Sequence, residues 1–354
     1  MSLWAPGVEI AGFWPLTQTP IVSAKNRMSK PAKTKKGSEV RRMVDVLILA
    51  SIHDFPTDRV CVGLEKAGAS YLRLNSESLG AARLRLNPQE ARLEIGLGDH
   101  TWVVDSSLKS VWWRQPTFLR NTPHEPLSLE EQLSRSQWPA FLRGLMVFDD
   151  ARWINHPAMT YRAESKPWQL HIAAKLGFDI PKTIITNDPV APIEETIGNR
   201  VAVKSVDTVL LREGDHQFFA YTQLLDWSDI ATSDLCAAPV VIQEVISPKL
   251  DLRVTVLGKQ AWTVAVTADG GAIEGDWRLK KKGQLAYPTF ELPLDVEQRC
   301  IALVRTLGLV YGSIDLAVSE DRFIFIEINP TGEWGWLDNP ERPLATAIAA
   351  ALQK

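Results

Sequence analysis

An α/β chain with α+β subdomains is the fold class this sequence predicts, on three observations. Residues 44–51, VDVLILAS, form an apolar run of strand length; residues 57–67 follow with helical spacing from Thr57 as the cap and stop at Gly68; residues 70–75, SYLRLN, alternate again, so the three make a βαβ unit. Helical and strand patterns then keep alternating through the middle of the chain. The last third carries hairpin patterns instead: Leu250–Leu257 returns as residues 261–266 across Gly258-Lys259, and residues 313–318 return as Arg322–Asn329 across Ser319-Glu320-Asp321.

Between these anchors, short alternating segments at 83–86, 91–95, 101–104 and 110–114 read mostly as sheet edge and meander. Ser128-Leu129-Glu130-Glu131 has the form of a capping box, opening a helix to about residue 148 that Pro139 would kink, and an α/β domain then closes near residue 155. Ser165 and Pro167 open the next helix, whose stripe includes Leu170, Ala173, Ala174 and Leu176 and which stops at Gly177. Lys166 sits in its first turn, unfavourably for the helix dipole, so it is either solvated or held for an anion. A strand at 182–187 and a short polar helix precede the strand Arg200–Ser205, where Lys204 alternates away from Val201 and Val203; a surface lysine fits that position as well as a functional one. The strand at 240–246 ends in Gln243-Glu244-Val245-Ile246, Asp251 and Arg253 share a face of the strand after Pro248, and Arg278, Lys280, Lys281 and Lys282 form a basic loop ahead of a helix at 296–307.

The last hairpin is the most informative stretch. Alternation places Glu327 and Asn329 on one face, and a three-residue loop would set Asp315 directly opposite Glu327. Two opposed carboxylates repel unless a positive charge lies between them, and with the Asn329 amide they suit a hard cation such as Mg²⁺, which leaves its other positions to water and phosphate. A solvated hairpin face fits the same spacing, since exposed like charges opposite one another cost only ~0.2–1 kcal/mol. Asn329-Pro330-Thr331-Gly332 then ends the strand sharply.

Composition sets the bounds. The 354 residues are 45% hydrophobic and 23% charged, enough for two or three domains with substantial cores. No apolar run approaches the ~20 residues of a membrane helix, and the N-terminus carries Glu9 and lacks a basic stretch before a continuous apolar one, so a cytoplasmic protein without membrane attachment is expected. Cys61, Cys236 and Cys300 are odd in number and far apart, which points to core packing rather than to disulfides or zinc. Residues 1–43 hold a net charge of +6 against −9 for the remainder; this extension has no repeating apolar face and is expected to be disordered, the first credible strand starting at Val44. A basic tail is compatible with nucleic acid, but no nucleic-acid partner is expected. The chain has neither the Gly-rich turn of a dinucleotide site nor a Walker P-loop, and no Ser/His/Asp or Cys/His arrangement stands out.

Two lysines, two arginines and an Asp/Glu/Asn set are together what a nucleoside triphosphate with Mg²⁺ requires. The stretches RAESKPWQLHIAAKLGFDIPKTIITN, VAVKSV, VIQEVISPKLDLRVTVLG and GSIDLAVSEDRFIFIEINPTGEW, spread over roughly 155–338, resemble an ATP-grasp ligase of the RimK-like branch, most of all the peptide-crosslinking enzymes of microviridin-type (graspetide, ω-ester peptide) biosynthesis; VWWRQP is similar to that family's pre-grasp region. After the extension at 1–43, the resemblance implies a pre-ATP-grasp α/β domain at 44–155 and an ATP-grasp region at 156–354, its central subdomain at about 156–245 and its C-terminal subdomain at about 246–354. It implies that Lys166 and Lys204 contact ATP phosphates, that Glu244, Val245 and Ile246 form the adenine hinge with Asp251 near the ribose, that Arg253 and Arg278 stabilise the transferred phosphoryl group, and that Asp315, Glu327 and Asn329 bind Mg²⁺, or Mn²⁺ in its place. The implied substrate is an acidic precursor peptide whose Asp or Glu side chains are joined to Ser/Thr hydroxyls or Lys amines, and a homodimer is the family expectation. Two other expectations stand beside it: a RimK-like ligase adding an amino acid to a small molecule or protein tail, and a nucleotide- or peptide-binding module without turnover. The chain departs from the family where NPNGQW is replaced by NPTGEW, and where Lys204 is followed by SVDTVLL in place of a glycine-rich lid. Trp112, Trp113, Trp334 and Trp336 read either as peptide-binding walls or as core, with core favoured.

Overall fold

The computed structural model describes residues 40–114, 116, 127–207, 210–213, 216–219, 222–233 and 235–354. The expected disorder at 1–39 lies outside these residues, as do Thr208 and Val209 of the departed lid motif.

The first region runs β1 (Val40–Met43), β2 (Val46–Ala50), α1 (Pro56–Lys66), β3 (Tyr71–Asn75), β4 (Arg83–Asn87), β5 (Arg92–Leu97), β6 (His100–Val104), β7 (Ser110–Trp113), α2 (Leu129–Gly144) and β8 (Arg152–Ile154). Strands β2 and β3 pair in parallel around α1, which is the expected βαβ unit. The helix begins at Pro56, one residue before the expected cap. Proline suits the first turn because its missing N–H has no intrahelical partner there anyway, and Thr57, fully buried, instead donates its hydroxyl to Asp54 at 2.6 Å. The Ser128–Glu131 capping box is present in full at the start of α2.

Two strands depart from expectation. Val40–Met43 is not part of a tail: it pairs in parallel with β6 and closes the meander sheet in the order β1-β6-β5-β4. Ser110–Trp113 is not an edge segment but lies inside the parallel sheet, in the order β3-β2-β7-β8. Local alternation cannot tell an edge from an interior strand, because the difference lies in what arrives from elsewhere in the chain.

The middle region holds α3 (Pro157–Ala163), α4 (Lys166–Lys175), β9 (Thr183–Thr186), α5 (Ile193–Thr196), β10 (Arg200–Ser205), β11 (Leu210–Glu213), β12 (His216–Phe219), β13 (Gln223–Asp226), α6 (Trp227–Ala231) and β14 (Val240–Glu244). Its sheet runs β13-β10-β14-β9, all antiparallel, over a small core of Ile193, Val201, Trp227, Ile230 and Ile242. The last region holds β15 (Leu250–Leu257), β16 (Gln260–Ala268), β17 (Leu285–Ala286), α7 (Leu294–Thr306), β18 (Tyr311–Ser319), β19 (Arg322–Asn329) and α8 (Leu344–Leu352), with a five-stranded sheet in the order β17-β16-β15-β18-β19.

The last region and the first share a core. Val46, Ile48 and Ala50 of β2 pack in one cluster with Leu257, Tyr311, Trp334, Leu337 and Ile348, and α8 lies against α1 with the Leu352 carbonyl accepting from Ser110 Oγ at 2.5 Å. Gly335 makes this approach feasible: a Cβ there would lie 2.1 Å from Pro56 Cγ, at the start of α1. Cys61 and Cys300 are buried as expected, whereas Cys236 is exposed, on a short turn whose buried residue is its neighbour Leu235. No helix among the described residues is long and apolar enough to cross a membrane.

Candidate active site

Register brings the site together on one row. Arg253 of β15 is the direct neighbour of Asp315 on β18, and Asp315 that of Glu327 on β19. The opposition of Asp315 and Glu327 was expected from a three-residue loop, but the turn has only two residues. Ser319 pairs with Arg322, and Glu320 and Asp321 take the positive φ values, 49° and 63°, that such a turn needs. A two-residue turn alone would leave Asp315 facing Ile326. A β-bulge between Leu316 and Asp315 takes up the extra residue and restores Glu327 to the row, the re-aiming of a side chain that bulges perform.

Charge dominates this row. Arg253 Nη1 donates to Asp315 Oδ1 at 2.6 Å, and Arg278, from the basic loop, donates through Nη2 to Asp315 Oδ2 at 2.7 Å and to Glu327 Oε1 at 2.9 Å. Asp276, which the sequence did not single out, accepts from the Arg278 backbone N–H at 3.0 Å and so sets the direction of that loop. Burial pushes the Asp315 carboxyl up, but the Arg253 and Arg278 guanidiniums outweigh it and hold Asp315 below the ordinary carboxylate range. Burial likewise disfavours the Arg278 charge, and Asp315, Glu327 and Asp276 more than restore it.

The donor set fits a hard divalent cation. Arg278 Nη2 is one positive centre within hydrogen-bonding reach of an oxygen on each of the two carboxylates, so both acids face a single shared positive charge. No cluster of three His, Cys, Asp or Glu side chains suited to a metal occurs among the described residues; the oxygens this row offers are two carboxylates and the Asn329 amide. Asn329 shares the strand face, with its Oδ1 accepting from the Thr331 N–H at 3.0 Å.

The other predicted residues surround this row at different ranges. Burial pulls the Lys204 ammonium below its ordinary value; Glu327 and Asp276 oppose this, while Lys166 and Arg278 add to it, which places all five charges in one field. Lys166 Nζ donates to the Ser205 carbonyl at 3.2 Å, so the α4 lysine reaches the end of the strand that bears Lys204. Asp251, two residues before Arg253, pairs with Lys249, and burial nevertheless leaves its carboxyl above the ordinary value. Glu244 ends β14 with Oε1 accepting from the Lys182 N–H at 3.1 Å, and Val245 and Ile246 follow, half-buried; none of these three is bonded to the charged row.

Several residues that hold the site were missed in sequence. Asn155, 2% exposed, donates to the Tyr311 and Pro330 carbonyls at 2.8 Å each and accepts from the Val310 and Tyr311 N–H groups at 2.7 and 2.9 Å. Arg114, 3% exposed and known in sequence only as part of VWWRQP, donates to the Thr331 carbonyl at 2.6 Å and to Glu333 at 2.7 Å, and pairs with Asp54 at 3.0 Å. Tyr311 donates its hydroxyl to the Gly332 carbonyl at 2.8 Å. Three consecutive carbonyls after Asn329 are thus held by three buried side chains. Gly332 lets the loop fold back this tightly, for a Cβ there would stand 2.5 Å from that of Ser313. A lone Asn or Arg in sequence carries no signal of such a role.

The tryptophans divide. Trp112 and Trp334 are core, their rings 6.5 Å apart. Trp336 is half-buried, 4.3 Å from the Tyr287 ring and 6.2 Å from Trp277, with Arg253 over its face at 6.0 Å, so an aromatic wall borders the charged row.

Neither protein-family models nor curated protein sequences match the chain. Solved structures do. A Chryseobacterium gregarium RiPP-associated ATP-grasp ligase, in complex with ADP and a leader and core peptide, superposes with a TM-score of 0.76 at 26% identity over 88% of this chain and 96% of its own. This chain has the ATP-grasp fold. The macrocyclase MdnC of Microcystis aeruginosa MRC, bound with precursor peptide MdnA, gives 0.73 at 25% identity over 87% of this chain and 98% of its own. MdnB of the same organism, also a macrocyclase, gives 0.69 at 26% over 88% and 99%. The resemblance to RiPP ATP-grasp ligases noted in the sequence therefore extends through the three-dimensional structure. In this ATP-grasp fold Lys204 and Glu244 stand on the middle four-stranded sheet, and Arg253, Asp315, Glu327 and Asn329 on the five-stranded one.

Proposed function

We propose that this chain is an ATP- and Mg²⁺-dependent carboxylate ligase that joins Asp or Glu side chains of an acidic precursor peptide to Ser/Thr hydroxyls or Lys amines, closing lactone or lactam rings. The observation that carries the proposal is the Arg253–Asp315–Glu327 row with Arg278 across it: two carboxylates for a cation, flanked by two guanidiniums for the anions that react beside it. Support comes from the peptide-bound ligases of the same fold.

On this proposal Lys166 and Lys204 hold ATP phosphates, Glu244 with the Val245-Ile246 backbone holds adenine, and Asp251 lies near the ribose. Asp315, Glu327 and Asn329 would hold Mg²⁺, which when bound neutralises phosphate charge. A substrate carboxylate oxygen attacks the γ-phosphorus, the bond to the bridging oxygen of ADP breaks, and an acyl phosphate results. The acceptor hydroxyl or amine then attacks the acyl carbon, phosphate departs with the C–O bond electrons, and the acceptor proton is lost. Each ring costs the peptide one water. Arg253 and Arg278 meet the negative charge of both steps with fixed donors, so no enzyme nucleophile is required. The exposed Lys280, Lys281 and Lys282 complement an acidic peptide.

The test is intact-mass spectrometry of a small acidic peptide encoded beside the gene, co-expressed with the wild-type chain or with Glu327→Gln. Loss of whole waters with the wild type alone is the expected result. An unchanged peptide with a folded, ATP-binding wild-type enzyme, together with ADP release stimulated by a free amino acid, would replace the proposal with an amino-acid ligase.

A further inference from the structure

Strand β19 ends the five-stranded sheet, so its outer edge faces away from β18 with unpaired backbone groups. Two segments cover that edge. The Asp179 carbonyl accepts from the Phe325 N–H at 2.8 Å, and further along, a side chain does the work of a strand: Gln169, 3% exposed, accepts from the Ile328 N–H through Oε1 at 3.0 Å and donates from Nε2 to the Ile328 carbonyl at 2.8 Å. The same Nε2 donates to the Ala163 carbonyl at 2.6 Å, which fixes the amide's orientation from a third side.

We infer that Gln169 is a positioning residue for the metal end of the site, setting the Glu327–Asn329 segment against the helix that begins at Lys166; the inference rests on the function proposed above. Ile328 lies between Glu327 and Asn329, so gripping both of its backbone groups fixes the direction in which its two neighbours project. Gln169 stands one turn after Lys166 on α4, a rigid spacing. One amide therefore links a proposed phosphate lysine to the proposed metal carboxylate, and the distance between them is the quantity that a metal–phosphate chelate requires to be constant. A purely apolar residue there would leave three buried backbone groups without partners, and it would free the last residues of an edge strand to shift.

The experiment compares ADP binding by calorimetry, in EDTA and in Mg²⁺, for the full-length wild type, Gln169→Met and Gln169→Glu. In the wild type Mg²⁺ tightens ADP binding by some factor. Gln169→Met is expected to bring that factor down towards one while changing the metal-free affinity less than about twofold. Gln169→Glu, which keeps the acceptor for Ile328 but cannot donate as a carboxylate, is expected to lower it at least threefold and less than Gln169→Met does; it carries the test if the methionine variant does not fold. An unchanged factor, or equal weakening with and without metal, makes Gln169 a fold contact only and overturns the inference. A wild type whose ADP binding ignores Mg²⁺ overturns the proposed function as well.

Discussion

Arg278 donates to Glu327 at 2.9 Å through the nitrogen that also donates to Asp315, so the guanidinium fills the space between the two carboxylates that a metal ion would share. On the proposed function, arginine and cation compete for those oxygens. Arg278→Gln should melt earlier than the wild type in EDTA, because two facing carboxylates lose their common partner. In millimolar Mg²⁺ it should recover more of its melting temperature than the wild type gains. Ligation should nevertheless fall by about 10²–10³-fold, the usual scale for removing a donor to developing charge. Melting curves with and without Mg²⁺, beside a turnover assay, read both effects; a variant that gains no more from Mg²⁺ than the wild type does would show that the arginine and the ion do not compete.

Asp315 and Glu327 should respond differently to loss of charge. Asp315 is buried against Arg253, and Asp315→Asn leaves a buried guanidinium short of its counter-charge, a change that costs about 3–5 kcal/mol when a buried pair is broken. Glu327 keeps part of its side chain in solvent, and Glu327→Gln should cost less than about 1 kcal/mol. Both variants should lose ligation. Urea denaturation separates them, and equal destabilisation would contradict the burial argument.

Asn155 tests whether the loop after Asn329 is held from outside. Asn155→Leu removes partners from two buried carbonyls and two N–H groups, each a loss of about 1–3 kcal/mol before relaxation, so a drop of at least about 3 kcal/mol in unfolding free energy is expected. Asn155→Asp keeps the two acceptor contacts and should fall between. Chemical denaturation at neutral pH is the measurement.

Asp251 should make the protein less stable as pH rises. Burial raises its folded-state pKa despite Lys249, so the unfolded chain ionises first. Between the ordinary value of 3.8 and the higher folded value, the native state binds more protons and stability falls with pH. Asp251→Asn removes that term. It should be more stable than the wild type at pH 7, the difference vanishing below both pKa values, while ADP affinity falls about tenfold on the proposed ribose role, the exchange of stability for function seen at many sites. A stability difference that does not change with pH would refute the linkage.

How far the sequence reached varies from residue to residue. The βαβ unit and the Ser128 capping box were legible because they rest on spacing along one short stretch, and the expected opposition of Asp315 to Glu327 is observed. The route to that opposition was not legible: with Ser319-Glu320-Asp321 as the loop, Val318 would face Arg322 and Asp315 would face Phe325, so Glu327 joins the row only through the two-residue turn and the bulge, and nothing in FIFIE marks Ile326 as the bulged residue. Val40–Met43 passed for tail because its partner, β6, lies sixty residues on in the chain.

Local pattern by itself determined the βαβ unit, the α2 and α4 helices, the two late hairpins and the charged set, since periods of two and 3.6 residues are properties of a single segment. Tertiary structure alone decided that Arg253, Asp315 and Glu327 share one row, that Arg278 returns from a loop to bridge two of them, and that Arg114, Asn155 and Gln169 hold the backbone beside them. Those contacts join residues far apart in the chain. A buried polar side chain takes its meaning from the backbone groups that folding delivers to it, and no spacing rule within a segment encodes which groups those are.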